Sequence, residues 1–80
     1  MRLDKYLKVS RLIKRRTVAN EACDAGRVTV NGKVARASYD VKVGDVLTIQ
    51  FGARPVSVRV LEVKETAYKD DAKTMYEAID

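Results

Sequence analysis

Histidine is absent from this sequence, and cysteine occurs once, at Cys23. Without histidine, a conventional metal site lacks its commonest ligand and nucleophilic catalysis its commonest base. The carboxylates are scattered, so no catalytic or metal-binding set emerges and neither an enzyme nor a cofactor is expected. A single cysteine closes no internal disulfide, and Cys23 reads as a small core residue. No apolar run approaches the roughly 18 residues of a membrane span. The opening Met1-Arg2-Leu3-Asp4 leads straight into amphipathic pattern instead of a signal peptide, so a soluble, cytoplasmic chain with no membrane partner is the expectation. Repeats, low-complexity tracts and interdomain linkers are also missing. Eighty residues of even composition make one domain with a small core.

What the chain has is unevenly placed charge. Residues 1–36 hold ten Lys/Arg against three Asp/Glu, and residues 37–80 hold six against eight. The first part is therefore +7 and the second −2, a polarity suited to meeting a polyanion.

From Arg2 to Ile13, the residues Leu3, Tyr6, Leu7, Val9 and Ile13 share one side of a helical wheel, with Lys5, Lys8 and Arg11 on the other: an amphipathic first helix that is expected to fray near Ser10, with Leu12 off the main stripe. Taken alone, those cations read as a solvated helix face. Lys14-Arg15-Arg16 follows at a helix–helix corner, where three adjacent cations repel one another and add nothing to a core. An anion explains them better than a merely soluble connection does. Thr17 offers a hydroxyl at the start of a second helix, whose free N–H groups and dipole also favour phosphate. That helix is predicted over Thr17 to Ala25, with Val18, Ala19, Ala22 and Cys23 inside and Asn20, Glu21 and Asp24 outside. Gly26 is placed to end it.

Val28-Thr29-Val30 alternates as a half-buried strand, Asn31-Gly32 is a type I′ hairpin signal, and Lys33-Val34-Ala35 returns. Gly44-Asp45 marks a turn before a buried strand over Val46 to Phe51. Gly52 to Pro55 reads as the next turn and Val56 to Val63 as a further strand, with a bulge or register change near Leu61. Met75, Tyr76 and Ile79 sit at helical spacing in an acidic segment, which either docks as a short C-terminal helix or frays. The fold class is thus α+β, two N-terminal helices packed on a small, mostly antiparallel sheet. One domain spans residues 1–64, and residues 65–80 form the acidic tail.

Arg2-Leu3-Asp4-Lys5-Tyr6-Leu7, Arg15-Arg16-Thr17-Val18-Ala19, Gly26-Arg27-Val28-Thr29-Val30-Asn31-Gly32 and Val43-Gly44-Asp45 together resemble the S4-type RNA-binding domain over roughly residues 1–50. The family is named for a small-subunit ribosomal protein, and heat-shock S4-domain proteins are among its broader members. The resemblance implies an alpha-L-like RNA-binding motif. In the family's free-standing bacterial quality-control branch it further implies contact with large-subunit ribosomal RNA and peptidyl-tRNA. The partner there is the NEMF-type tailing factor RqcH, which adds alanine to stalled nascent chains. One departure is Arg15, a cation where the family usually has serine, which removes a capping hydroxyl and strengthens phosphate attraction.

On this reading Arg2, Lys5, Arg15, Arg16, Thr17, Arg27, Asn31 and Lys33 form one RNA-facing surface of a protein that is a monomer when free. Arg2 and Arg16 lead, because a guanidinium grips phosphate in two places and stacks on bases. Asp4 orients Arg2 or Arg16, or is simply a helix-start carboxylate. Lys8, Arg11 and Lys14 supply long-range attraction. Asn31 contacts RNA or does no more than make its turn. If about four to six phosphates are neutralised, affinity falls steeply with salt. Two other functions fit the same residues: a general rRNA- and tRNA-binding rescue factor, and a small protein-binding adaptor acting through its sheet edge and tail.

Overall fold

The computed structural model describes residues 1–65 and 72–79. Chain order is α1 (Leu3–Val9), α2 (Arg16–Asp24), β1 (Val28–Val30), β2 (Lys33–Val34), β3 (Val46–Phe51), β4 (Arg54–Val60) and β5 (Tyr76–Ile79). All pairings are antiparallel, in the order β2-β1-β3-β4-β5. Both helices join the sheet in one core, where Leu3, Tyr6 and Leu7 of α1 and Ala19 and Cys23 of α2 meet Val28, Leu47, Ile49, Val58 and Val60. The predicted α+β architecture is therefore present. The face away from the core carries polar pairs: Thr48 Oγ1 lies 3.0 Å from Ser57 Oγ, and Arg59 pairs with Glu77 at 2.7 Å. Solvation of that face is open to an antiparallel sheet, whose other face carries the apolar side chains.

The start of α1 is satisfied from outside the helix. Arg2 is its N-cap but makes no side-chain cap. Instead the N–H of Leu3 donates to the Tyr39 carbonyl at 2.8 Å, that of Asp4 to the Ala37 carbonyl at 3.2 Å, and that of Lys5 to Asp4 Oδ1 at 2.8 Å. Three otherwise orphaned donors thus find partners, and the 37–39 loop is fastened to the helix.

α1 ends near Ser10, as expected, although the apolar stripe runs on to Ile13. Ser10 is its C-cap, and Arg11 takes a left-handed conformation with φ 64°. Ile13 is still buried, with its N–H on the Leu7 carbonyl at 3.0 Å, so the stripe is folded back instead of continued. α2 in turn begins at Arg16 because Arg15 is extended and its carbonyl accepts the first helical bond, from Ala19 at 3.0 Å. Thr17 therefore stands inside the helix, and the expected hydroxyl cap is not at the N-cap position. Val18 is 47 % exposed, not inside, since the buried stripe runs through Ala19 and Cys23 one turn apart. At the far end Gly26, φ 79°, and Arg27 donate to the Cys23 and Ala22 carbonyls at 3.0 and 2.9 Å, a Schellman closure.

The Asn31-Gly32 turn has φ 52° and 85°, as a type I′ turn requires. Arg54 and Pro55 belong to β4 instead of the preceding turn. Pro55 is tolerated because β5 pairs with β4 only from Ser57 to Val60, leaving Pro55 without a neighbour on that side. Beyond Val60, the N–H groups of Leu61 and Glu62 both donate to the Met75 carbonyl, at 2.8 and 3.1 Å, which realises the expected bulge.

The helical spacing of Met75, Tyr76 and Ile79 does not make a helix. Tyr76–Ile79 is β5, and Met75 is fully buried beneath it, with its carbonyl accepting the Tyr6 hydroxyl at 2.8 Å. Edge pairing along β4 outweighs the weak helical preference of so short a segment. Residues on both sides of position 64 therefore share one sheet. Among the described residues no helix is long and apolar enough to cross a membrane.

Candidate nucleic-acid interface

The corner between α1 and α2 is built around a buried carboxylate. Asp4 is 2 % exposed, and all its polar contacts point to one task. Its Oδ1 accepts from Arg2 Nε at 3.2 Å and the Lys5 N–H at 2.8 Å. Its Oδ2 accepts from Arg2 Nη2 at 3.4 Å and Asn20 Nδ2 at 3.1 Å, and Arg16 Nε lies 3.5 Å away. Burial alone would raise the carboxyl's pKa, but the bonds from Arg2, Asn20 and Lys5 and the charge of Arg16 outweigh it and hold it at about 2. Two guanidinium groups share one negative charge, so a net positive charge remains. Both arginines are about half exposed, which leaves N–H groups open to a phosphate.

Beside this anchor runs a groove of about 660 Å³ lined by Lys5, Lys8, Val9, Arg11, Lys14, Arg16 and Glu65. Glu65 pairs with Lys5, whose ammonium holds that carboxyl below its usual range. Lys8, Arg11, Lys14 and Arg15 make no ion pair among the described residues. A smaller hollow of about 330 Å³ is lined by Asp4, Arg16, Thr17, Asn20 and Glu21, so Arg16 borders both. The first turn of α2 carries no acid of its own, so its N–H groups and dipole add to the attraction for an anion.

The remaining expected residues lie elsewhere. Asn31 and Lys33 line a third hollow of about 700 Å³ with Val34, Arg36 and Tyr39, which shares no lining residue with the other two. Arg27 sits between α2 and β1, its carbonyl accepting the Gln50 N–H at 2.9 Å. The corner thus gathers Arg2, Lys5, Lys8, Arg11, Lys14, Arg15, Arg16 and Thr17, while the hairpin holds Asn31 and Lys33 in a separate hollow. Asn31 does more than turn the chain. Its Oδ1 accepts the Val46 N–H at 2.9 Å and its Nδ2 donates to Asp45 Oδ1 at 3.1 Å, clipping the hairpin to the start of β3. Asp45 Oδ2 also accepts from the Tyr39 hydroxyl at 3.0 Å, a bond that pushes up the phenol's pKa.

Two contributors escape a reading of the sequence. Asn20 looks like a solvent-facing residue, yet it steadies Asp4; its place one turn after Arg16 on the same helix face is the available signal. Arg36 follows the return strand with no motif to mark it.

A cationic groove, a pre-oriented arginine pair and a free helix start together suit the phosphates and shaped surface of folded RNA. Comparison with known proteins points the same way. The S4 domain model matches residues 1–47. A protein of Halalkalibacterium halodurans called RQC P-site tRNA stabilizing factor is 61 % identical over 96 % of this chain and 88 % of its own length. A Bacillus subtilis protein of the same name is 59 % identical over 95 % of this chain and 88 % of its own. The trimeric structure of Vibrio cholerae Heat Shock Protein 15 superposes with a TM-score of 0.91 at 26 % identity, covering 99 % of this chain and 81 % of the other. The chain belongs to the S4-domain family, on the branch of the RQC P-site tRNA stabilizing factors.

Proposed function

We propose that this chain is a non-catalytic RNA-binding factor of ribosome-associated quality control. It binds the large ribosomal subunit obstructed by a stalled nascent chain, touching ribosomal RNA and the P-site peptidyl-tRNA together. By holding the two RNA bodies in fixed relation it supports alanine tailing by a NEMF-type factor, RqcH. The observation that carries this reading is the Asp4-anchored pair of Arg2 and Arg16, the second of which lines the cationic groove. The names of the relatives supply the tRNA and its site. So small a surface is poorly suited to reading sequence, and RNA helices are recognised largely through shape, phosphates and 2′-hydroxyls.

Co-sedimentation with bacterial large subunits, with and without peptidyl-tRNA, tests the proposal. Wild-type protein is expected to pellet with subunits that carry peptidyl-tRNA, and a Lys14→Glu, Arg15→Glu variant that melts like wild type is expected to stay in solution. Equal pelleting of both proteins would remove the corner from the interface, and no pelleting of either would overturn the ribosomal assignment.

A further inference from the structure

Among the described residues, two that are not glycine have positive φ: Asn31 and Arg11. In the left-handed region Cβ crowds the backbone; asparagine offsets this with local hydrogen bonds from its short side chain, which arginine cannot do. Arg11 follows the C-cap of α1, a position where glycine is the common solution because it has no Cβ to strain. Nothing inside the fold rewards arginine at this point. Its N–H donates to the Lys8 carbonyl at 3.1 Å, which almost any residue would do equally well. Its side chain is exposed and makes no ion pair or hydrogen bond among the described residues. It does line the groove already flanked by Lys5, Lys8, Lys14 and Arg16, where a further cation adds repulsion.

Backbone strain and charge repulsion therefore converge on one residue with no internal compensation, and an external anion is the remaining one. We propose that Arg11 binds RNA phosphate directly, and that the strained left-handed turn is kept because it delivers a guanidinium to the groove. This inference rests on the RNA-binding reading above and extends it, since long-range attraction would be served as well by a cation at any unstrained site.

A trade-off between stability and binding follows, and Arg11→Gly exposes it. Thermal unfolding should show a melting temperature higher by about 4 °C, as strain is released. Titration against large subunits carrying peptidyl-tRNA, and separately against bulk tRNA, should show affinity about tenfold weaker, with the salt slope smaller by about one. Arg11→Lys should keep most of the affinity. Arg54→Ala removes the same charge from an exposed site on the β3–β4 hairpin, outside the groove, and should change affinity little. Loss of affinity in Arg11→Gly no greater than in Arg54→Ala would reduce Arg11 to net charge and overturn the inference, leaving the wider functional reading intact. An unchanged or lower melting temperature would also overturn it, by removing the strain. Absence of wild-type binding to both probes would take down the inference and the reading beneath it.

Discussion

Asp4 and Arg16 come from different helices, yet Arg16 Nε lies 3.5 Å from an Asp4 Oδ2 that is almost wholly withdrawn from solvent. One carboxylate therefore serves the crossing of α1 and α2 and the aim of the guanidinium that faces the groove. Asn20, from the same helix as Arg16, donates to the same oxygen.

Asp4→Asn keeps the shape and removes the charge. Two arginines then crowd a neutral amide, and the amide's own N–H groups have no acceptor in place. Stability should fall by about 2 kcal/mol in urea unfolding, and RNA affinity should weaken several-fold because Arg2 and Arg16 lose their common anchor. A variant as stable and as tightly binding as wild type would show that the buried carboxylate orients nothing.

The same group sets an acid limit. Asp4's pKa is depressed in the folded state, from 3.8 to about 2, so its contribution is complete above about pH 4 and is lost as pH falls toward 2. The wild type should therefore lose about 2 kcal/mol over that window relative to Asp4→Asn, whose unfolding free energy should vary less with pH there. Parallel urea titrations from pH 5 to pH 2 measure the difference, and superimposable pH profiles would contradict it.

Legibility of the fold in the sequence follows how local its causes are. β3 is readable to the residue because Gly44-Asp45 and Gly52 bracket an apolar run. The Asn31-Gly32 turn is readable because both positions demand positive φ. The end of α1 near Ser10 is readable too, but the left-handed Arg11 that follows it is not, since glycine normally signals that position. β5 is not, because a four-residue strand exists only through the distant edge of β4, and 3–4 spacing in a short segment fits a helix equally well. The cationic corner was legible from charge, while its division from the hairpin hollow depends on tertiary packing that no spacing encodes.

Asn31 separates turn geometry from side-chain bonding. Asn31→Gly keeps the positive φ but loses the bonds to Val46 and Asp45, and should cost about 1 kcal/mol. Asn31→Ala loses the bonds and strains the turn as well, for about 2 kcal/mol. Chemical denaturation of the two variants gives the comparison, and equal losses would mean that the turn carries no strain.

Met75 distinguishes an integral C-terminus from a fraying one. It is fully buried, and the Tyr6 hydroxyl and the N–H groups of Leu61 and Glu62 all converge on its carbonyl. Met75→Ala should lower stability by about 2 to 4 kcal/mol, as for other large core side chains. A loss below about 0.5 kcal/mol, the scale of ordinary surface changes, would mean that β5 contributes little to the fold.

Glu65 places a negative charge in the lining of the groove that RNA is proposed to enter. Its carboxylate pairs with Lys5, and both must part, or at least share, when a phosphate approaches. An exposed pair adds little to folding, so Glu65→Gln should melt close to the wild type. The freed Lys5 and the absent repulsion should together raise RNA affinity by about two- to fivefold at low salt, with the gain shrinking as salt screens the groove. A titration series from low to physiological salt reads both effects. A gain that persists undiminished at high salt would point to a rearranged groove instead of removed competition, and a loss of affinity would make Glu65 a support for Lys5 instead of its competitor.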